Sequence, residues 1–211
     1  MAPTASRRPG RPPAAKADET RKRILHAARL VFSERGYDGA TFQAIAVRAD
    51  LTRPAINHYF SSKRVLYREV VNQTNELVVV AAIRRAELET TLMGRLTAFI
   101  SAAVRANSEN PSASAFLVTT VLESQRHPEL STTENDAVRI SREFLMRVVN
   151  DAIEHREVTA DTDASVLAET LLVVLCGVGF YAGYVRSYHE MLAVTDVLRQ
   201  LLEGALWRPE T

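Results

Sequence analysis

Apolar side chains recur in this chain at steps of three and four residues, and nowhere do they alternate with period two between hairpin turn signals. That pattern predicts an all-α fold. Ile24, Leu25, Ala28, Val31 and Phe32 share one face of a helix that opens at Asp18 and closes at Gly36, with Tyr37-Asp38-Gly39 as the turn. Thr41 caps a short second helix whose apolar face is Phe42, Ile45, Ala46 and Ala49. Asp50-Leu51 is a tight turn, and Thr52 caps a third helix that tolerates Pro54 in its first turn and ends near Tyr59. Ser61 or Ser62 starts a fourth helix running to about Leu88, followed by candidate spans at 92–106, 112–126, 134–157, 163–186 and 189–207. The total is nine helices, three of them in a small N-terminal head. The stretch 171–185 is apolar on every side, which reads as a buried helix.

Charge divides the chain in the same place. Residues 1–68 hold fourteen basic and five acidic side chains, the remainder twelve and twenty, so a net charge of +1 conceals a basic head on an acidic body. Such asymmetry points to an anion-binding module joined to something else. The 46% hydrophobic content suffices for a real core. Residues 1–17 carry four prolines, no acid and, after Met1, no large apolar side chain, and read as a disordered basic arm. The single cysteine, Cys176, excludes a disulfide framework within one chain. No apolar stretch of signal-peptide length follows the basic start. The longest uncharged run, 170–185, has 16 residues, below the roughly 17–25 of a membrane span. The expectation is a soluble, cytoplasmic protein.

Residues 41–59 form two short helices joined by a tight turn, the helix-turn-helix pattern. Ala46 and Ala49 supply small residues for the crossing, and Ile56 points into a core with Phe32 and Ile45. The third helix then presents Thr52, Arg53, Ala55, Asn57 and His58 outward. Arginine can fork onto guanine and asparagine onto adenine, while alanine or threonine can touch a thymine methyl. Arg48, Tyr59, Lys63 and Arg64 surround that face as candidate phosphate contacts, and Thr41 is a further candidate DNA-binding residue. In the arm, Arg7, Arg8 and Arg11 stand in Arg-Arg-Pro-Gly-Arg-Pro-Pro, similar to the Gly-Arg-Pro core of an AT-hook that lays arginines in a narrow minor groove.

Residues 20–68 resemble the DNA-binding domain of the TetR family of bacterial transcriptional regulators. The resemblance lies in Ile24-Leu25-x-Ala27-Ala28-x-x-x-Phe32, Gly36-Tyr37, Ala40-Thr41, Ile45-Ala46, Ala49, Thr52 and Tyr59-Phe60, then Lys63 and Leu66. Two positions depart from the family pattern. Asp50 stands where the turn usually has glycine, and Asn57 where tyrosine is common. Asp tolerates left-handed backbone better than most residues, so the turn is expected to survive. The resemblance implies a DNA-binding head at 18–62 and an effector-binding, dimerising body at 63–211. The implied protein is a homodimeric repressor that reads a palindromic operator and is released by a small apolar effector. It implies a dimer interface on the last two long helices, where Gly179 and Gly183 sit four apart. It also implies a ligand cavity, for which Phe99, Phe116, Thr120 and Tyr181 are the leading candidates, with Phe144, Val148 and Tyr184 behind them.

Other chemistries find less support. His26 and His58 lack a third metal ligand at suitable spacing, and no cofactor motif stands out. Cys176, beside His155 or His189 as a base, would need more than its Leu-Leu-Val-Val-Leu-Cys-Gly setting, where free cysteine packs as a small hydrophobe. Asp161 and Asp163 could be metal ligands, but Thr162 or Asp163 serves more simply as a helix cap. No acid, base and nucleophile set converges, so an enzyme is not expected. The competing reading is an architectural DNA-binding protein that has no effector.

Overall fold

The computed structural model describes residues 13–130, 136–159, 161–185 and 187–206. Among them lie nine helices and no strand. The first three are α1 (Pro13–Gly39), α2 (Phe42–Arg48) and α3 (Arg53–Tyr59). α4 covers 63–86 without a break, as Lys63–Asn75, a π-helical turn Glu76–Val80 and Ala81–Ala86. The body continues with α5 (Leu92–Glu109), α6 (Ala113–Arg126) and α7 (Ala137–Glu154). It ends with α8 (Ala164–Tyr184) and α9 (Tyr188–Leu202).

α1 starts ahead of Asp18, so residues 13–17 belong to the helix rather than to an arm. Ala14, Ala15 and Ala17 favour helix, and proline is tolerated in a first turn because its missing N–H has no partner there. Residues 1–12, with Arg7, Arg8 and Arg11, lie outside the described residues. At the other end Gly36 takes φ 68°, a left-handed conformation that breaks the helix axis.

The predicted face of α1 is the centre of the head. Ile24, Leu25, Ala28, Val31 and Phe32 are buried with Ile45, Ala46, Ala49 and Ile56 of α2 and α3. The hydroxyls of Thr41, Thr52 and Ser62 each accept the backbone N–H three residues on, capping α2, α3 and α4. Asp50 does adopt positive φ, 51°, in the turn between α2 and α3. The same apolar cluster takes in Leu66, Tyr67 and Val70 of α4 and Phe116 of α6, beyond residue 62 where the sequence places the border.

Polar contacts fix α6 to the head as well. Glu123, 4% exposed, accepts the Tyr37 backbone N–H at 3.2 Å, and His127 lies 3.1 Å from Asp38. A second core, built from Ala82, Ile83, Leu96, Phe99, Phe144, Leu145, Val148, Val149, Ala168, Leu171 and Leu172, joins α4, α5, α7 and α8.

α8 departs from the expectation of a helix buried on all sides. Ala168, Leu171, Leu172 and Ala182 are buried, but Val173 is 70% exposed, Phe180 63% and Tyr184 79%. Including Glu169 the helix is long and apolar enough, with mean hydropathy 1.9, to match a membrane span by length and composition, which the uncharged run alone does not suggest. α9 likewise exposes Val194, Val197 and Leu201, at 42%, 52% and 44%.

Candidate nucleic-acid interface

Ile56 is the one fully buried side chain of α3, and it orients the whole helix. With that residue locked under Phe32 and Ile45, Thr52, Arg53, Asn57 and His58 face solvent, and Ala55 and Tyr59 are half-buried. The His58 and Tyr59 rings meet edge to face at 5.4 Å, which steadies the end of the reading helix. Thr41, at the start of α2, is exposed beside them. The surface thus carries a forked cation, an amide with donor and acceptor, an imidazole and two hydroxyls, all on a packed support.

Two of the expected phosphate contacts are engaged within the fold. Arg48 pairs with Glu34 at 2.6 Å. Lys63 Nζ donates to the carbonyl oxygens of Tyr37 and Asp38, at 2.7 and 3.3 Å, and sits 4.3 Å from the Tyr37 ring centre. The cause is the break at Gly36, which leaves carbonyls without helical donors that Lys63 supplies. Arg53 and Arg64 make no ion pair among the described residues and remain the available cations of this face.

The four residues expected to line a ligand cavity fall in different places. Phe116 is fully buried in the head core, its ring 5.8 Å from Tyr67 and 6.4 Å from Phe32. Phe99 stacks on Phe144 at 5.6 Å in the body core. Thr120 Oγ1 donates to Leu117 O of its own helix. Tyr181 lies on the exposed side of α8, 6.3 Å from Tyr184. Aromatic spacing marks burial in general, without saying which core receives a side chain. The body instead presents two open grooves. One, of about 270 Å³ between α5 and α9, is lined by Leu96, Thr97, Ile100, Ser101, Leu192 and Thr195 among others. The other, of about 390 Å³, is charged, with Glu87, Arg95, Arg147 and Asp151 on its walls.

The two glycines of α8 also separate. A Cβ on Gly183 would lie 3.1 Å from the Ala115 backbone, so this glycine serves a close crossing with α6 inside the chain. A Cβ on Gly179 would meet no atom within 4 Å among the described residues. Cys176 is exposed, not packed as a core hydrophobe, and the partial burial of its thiol still holds the pKa above the ordinary value. Asp163 caps α8 through the side chain of Ser165 and the N–H groups of Ser165 and Val166, and these bonds lower its carboxyl pKa.

One buried polar residue is not foreshadowed by any sequence motif. Arg29 of α1 is 2% exposed, bonded to Ser112 and Asn110 of the turn between α5 and α6. Its only mark in the sequence is a lone cation beside the apolar face of α1.

Residues 24–70 match the profile of the bacterial regulatory proteins of the tetR family. The chain has a TetR-family DNA-binding domain as its head. Among relatives, it is 26% identical over 163 residues to the HTH-type transcriptional regulator UidR of Escherichia coli (strain K12), covering 77% of this chain and 81% of UidR. Salmonella enterica GusR, at 26% identity, superposes with a TM-score of 0.66 over 89% of this chain and 95% of GusR. The fold is shared with transcriptional regulator FadR from Bacillus subtilis, solved in complex with stearoyl-CoA, at 17% identity and a TM-score of 0.70. That match covers 86% of this chain and 96% of FadR. The chain is therefore a DNA-binding helix-turn-helix regulator of transcription.

Proposed function

We propose that this protein is a homodimeric repressor, working in the cytoplasm, that reads a palindromic operator through α3 and leaves it when a small apolar molecule binds the body. The observation that carries this reading is the outward set Thr52, Arg53, Asn57 and His58 on a helix fixed by Ile56. A head of this kind reads one half-site in the major groove, so a two-fold dimer reads two. Their spacing would be about one helical turn, roughly 34–36 Å, or a multiple of it. The apolar side of α8 and α9 supplies the pairing surface, and Arg7, Arg8 and Arg11 are assigned to the adjacent minor groove.

Selection from a random duplex pool tests the reading. The full-length protein should enrich an inverted repeat. Asn57→Ala should then relax preference at one or two positions, losing roughly 1–3 kcal/mol there. Arg64→Ala should weaken every sequence alike and lower the salt slope by about one. Enrichment of no sequence, with steep salt dependence, would favour an architectural DNA coat instead.

For the effector, the groove between α5 and α9 has the suitable chemistry. Leu96, Ile100 and Leu192 offer apolar surface, and Thr97, Ser101 and Thr195 offer hydroxyls to a polar end. The FadR structure holds an acyl-CoA, which makes stearoyl-CoA one member of the panel to try. A compound that raises the melting temperature of the wild type should lose that effect on Ile100→Trp, while operator affinity stays within about twofold because the head is untouched. An undiminished shift in the variant would place the effector elsewhere.

A further inference from the structure

Among the described residues, Arg29 is the one buried cation, and DNA reading leaves it unexplained. Its Nε donates to Ser112 Oγ at 3.1 Å, and Nη2 donates to Asn110 Oδ1 at 3.3 Å. Nη2 also lies 3.3 Å from His26 Nδ1. Desolvation first, then the charges of Arg29 and Arg48, lower the His26 pKa, which favours the neutral ring able to accept that bond. Nη1 is buried without a hydrogen-bond partner, and Arg29 makes no ion pair among the described residues. A buried guanidinium without a carboxylate is expensive, and a well-packed apolar side chain of similar volume would commonly serve stability as well or better. What the guanidinium offers instead is direction, since a planar fork fixes orientation in a way that apolar packing does not.

The partners show what is oriented. Asn110 and Ser112 form the turn between α5 and α6, and the same turn is bound on its far side to α8. Asn107 Nδ2 donates to Ala182 O at 3.1 Å, and its Oδ1 accepts the Ser114 N–H at 3.2 Å. Gly183 rests against Ala115 next to this joint. A continuous polar line therefore runs from the C-terminal end of α8, through residues 107–114, to α1 of the head. Another link between head and body, α4, contains the π-helical turn Glu76–Val80, a type of irregularity at which helices kink.

We propose that Arg29 is a positioning residue for operator reading: through Asn110 and Ser112 it ties the head to the α8 end of the body and so sets the distance between the two heads of a dimer. This rests on the dimeric reading above. If α8 lies at the two-fold axis, the line from α8 to Arg29 holds each α3 at a fixed offset from that axis. Loss of the fork leaves the head attached by Phe116 packing, by α4 and by the contacts of Glu123 and His127 with Tyr37 and Asp38. It releases the head at the α8 end of α6 alone. DNA binding by one head is unaffected, whereas discrimination between half-site spacings falls.

The test uses the full-length protein and the inverted repeat it selects, with spacers shortened or lengthened by one and two base pairs. Wild-type protein should lose about tenfold or more in affinity for each one-base-pair change, comparable to a mismatch. Arg29→Met keeps the apolar stem and should lose less than about threefold, with an unchanged melting temperature and unchanged affinity for a single half-site. Ser112→Ala removes the acceptor from the body side, should relax spacing in the same direction, and should add little to Arg29→Met in the double variant. Spacing selectivity as sharp as wild type in both single variants overturns the proposal. So does a loss confined to melting temperature and half-site affinity, which would make Arg29 merely structural. Failure of the wild type to select two spaced half-sites would instead overturn the dimeric reading, and the proposal with it.

Discussion

Phe116→Ala is expected to lower the stability of the protein by about 3–5 kcal/mol, the cost of emptying a fully enclosed aromatic site. The ring is fully buried, and it touches the aromatic rings of Tyr67 and Phe32, so removal opens a cavity among α1, α4 and α6. Relaxation into that cavity is restricted. Arg29 holds the α5–α6 turn to α1 at one end of α6, and Glu123 holds Tyr37 N at the other. Chemical denaturation measures the loss, and DNA affinity at low temperature should remain close to wild type because α3 is untouched. A change below about 1 kcal/mol, combined with a large shift in effector response, would return Phe116 to the role of ligand lining that its sequence spacing suggests.

The second large effect concerns the apolar side of α8. Val173→Glu combined with Phe180→Glu should convert the protein to a folded monomer at micromolar concentration. Both side chains are mostly exposed in the single chain, at 70% and 63%, so neither carboxylate disturbs the monomer core. In a two-fold interface the same charges meet their copies across the axis, and like-charge juxtaposition costs several kcal/mol. Gly183→Leu provides the contrast. Its side chain would push into the Ala115 backbone, 3.1 Å from the Cβ position, so it should lower the melting temperature of the chain itself. Size-exclusion chromatography with light scattering, beside thermal melts, separates the two. An unchanged dimer in the double variant would move the interface off α8.

The parts of the fold readable from sequence are those decided by local chemistry. The buried face of α1 follows from side chains at helical steps, and the caps at Thr41, Thr52 and Ser62 from hydroxyls placed before helical runs. The turn at Asp50 and the outward set on α3 follow in the same way, since one buried Ile56 orients seven residues. Roles settled by distant partners are not readable. That Lys63 meets the carbonyls of Tyr37 and Asp38 has no mark in the sequence. Nor has the pairing of Arg48 with Glu34. Nothing in the spacing of Phe116 says that it belongs to the head rather than the body. In α8 the difficulty is different: a helix apolar on every side carries no mark of which side its own chain covers. Its sequence therefore shows neither that Cys176 is exposed nor that Gly183 packs on Ala115.

The central claim is that two copies, paired through α8 and α9, present two α3 helices to one two-fold DNA site. Sedimentation equilibrium of the full-length protein on its selected duplex tests it most directly, with the Val173→Glu, Phe180→Glu variant alongside. The account predicts two protomers per inverted repeat for the wild type. For the variant it predicts one protomer per half-site, with much weaker binding. One wild-type protomer per duplex at undiminished affinity, or the double variant binding as a pair as tightly as the wild type, would contradict it.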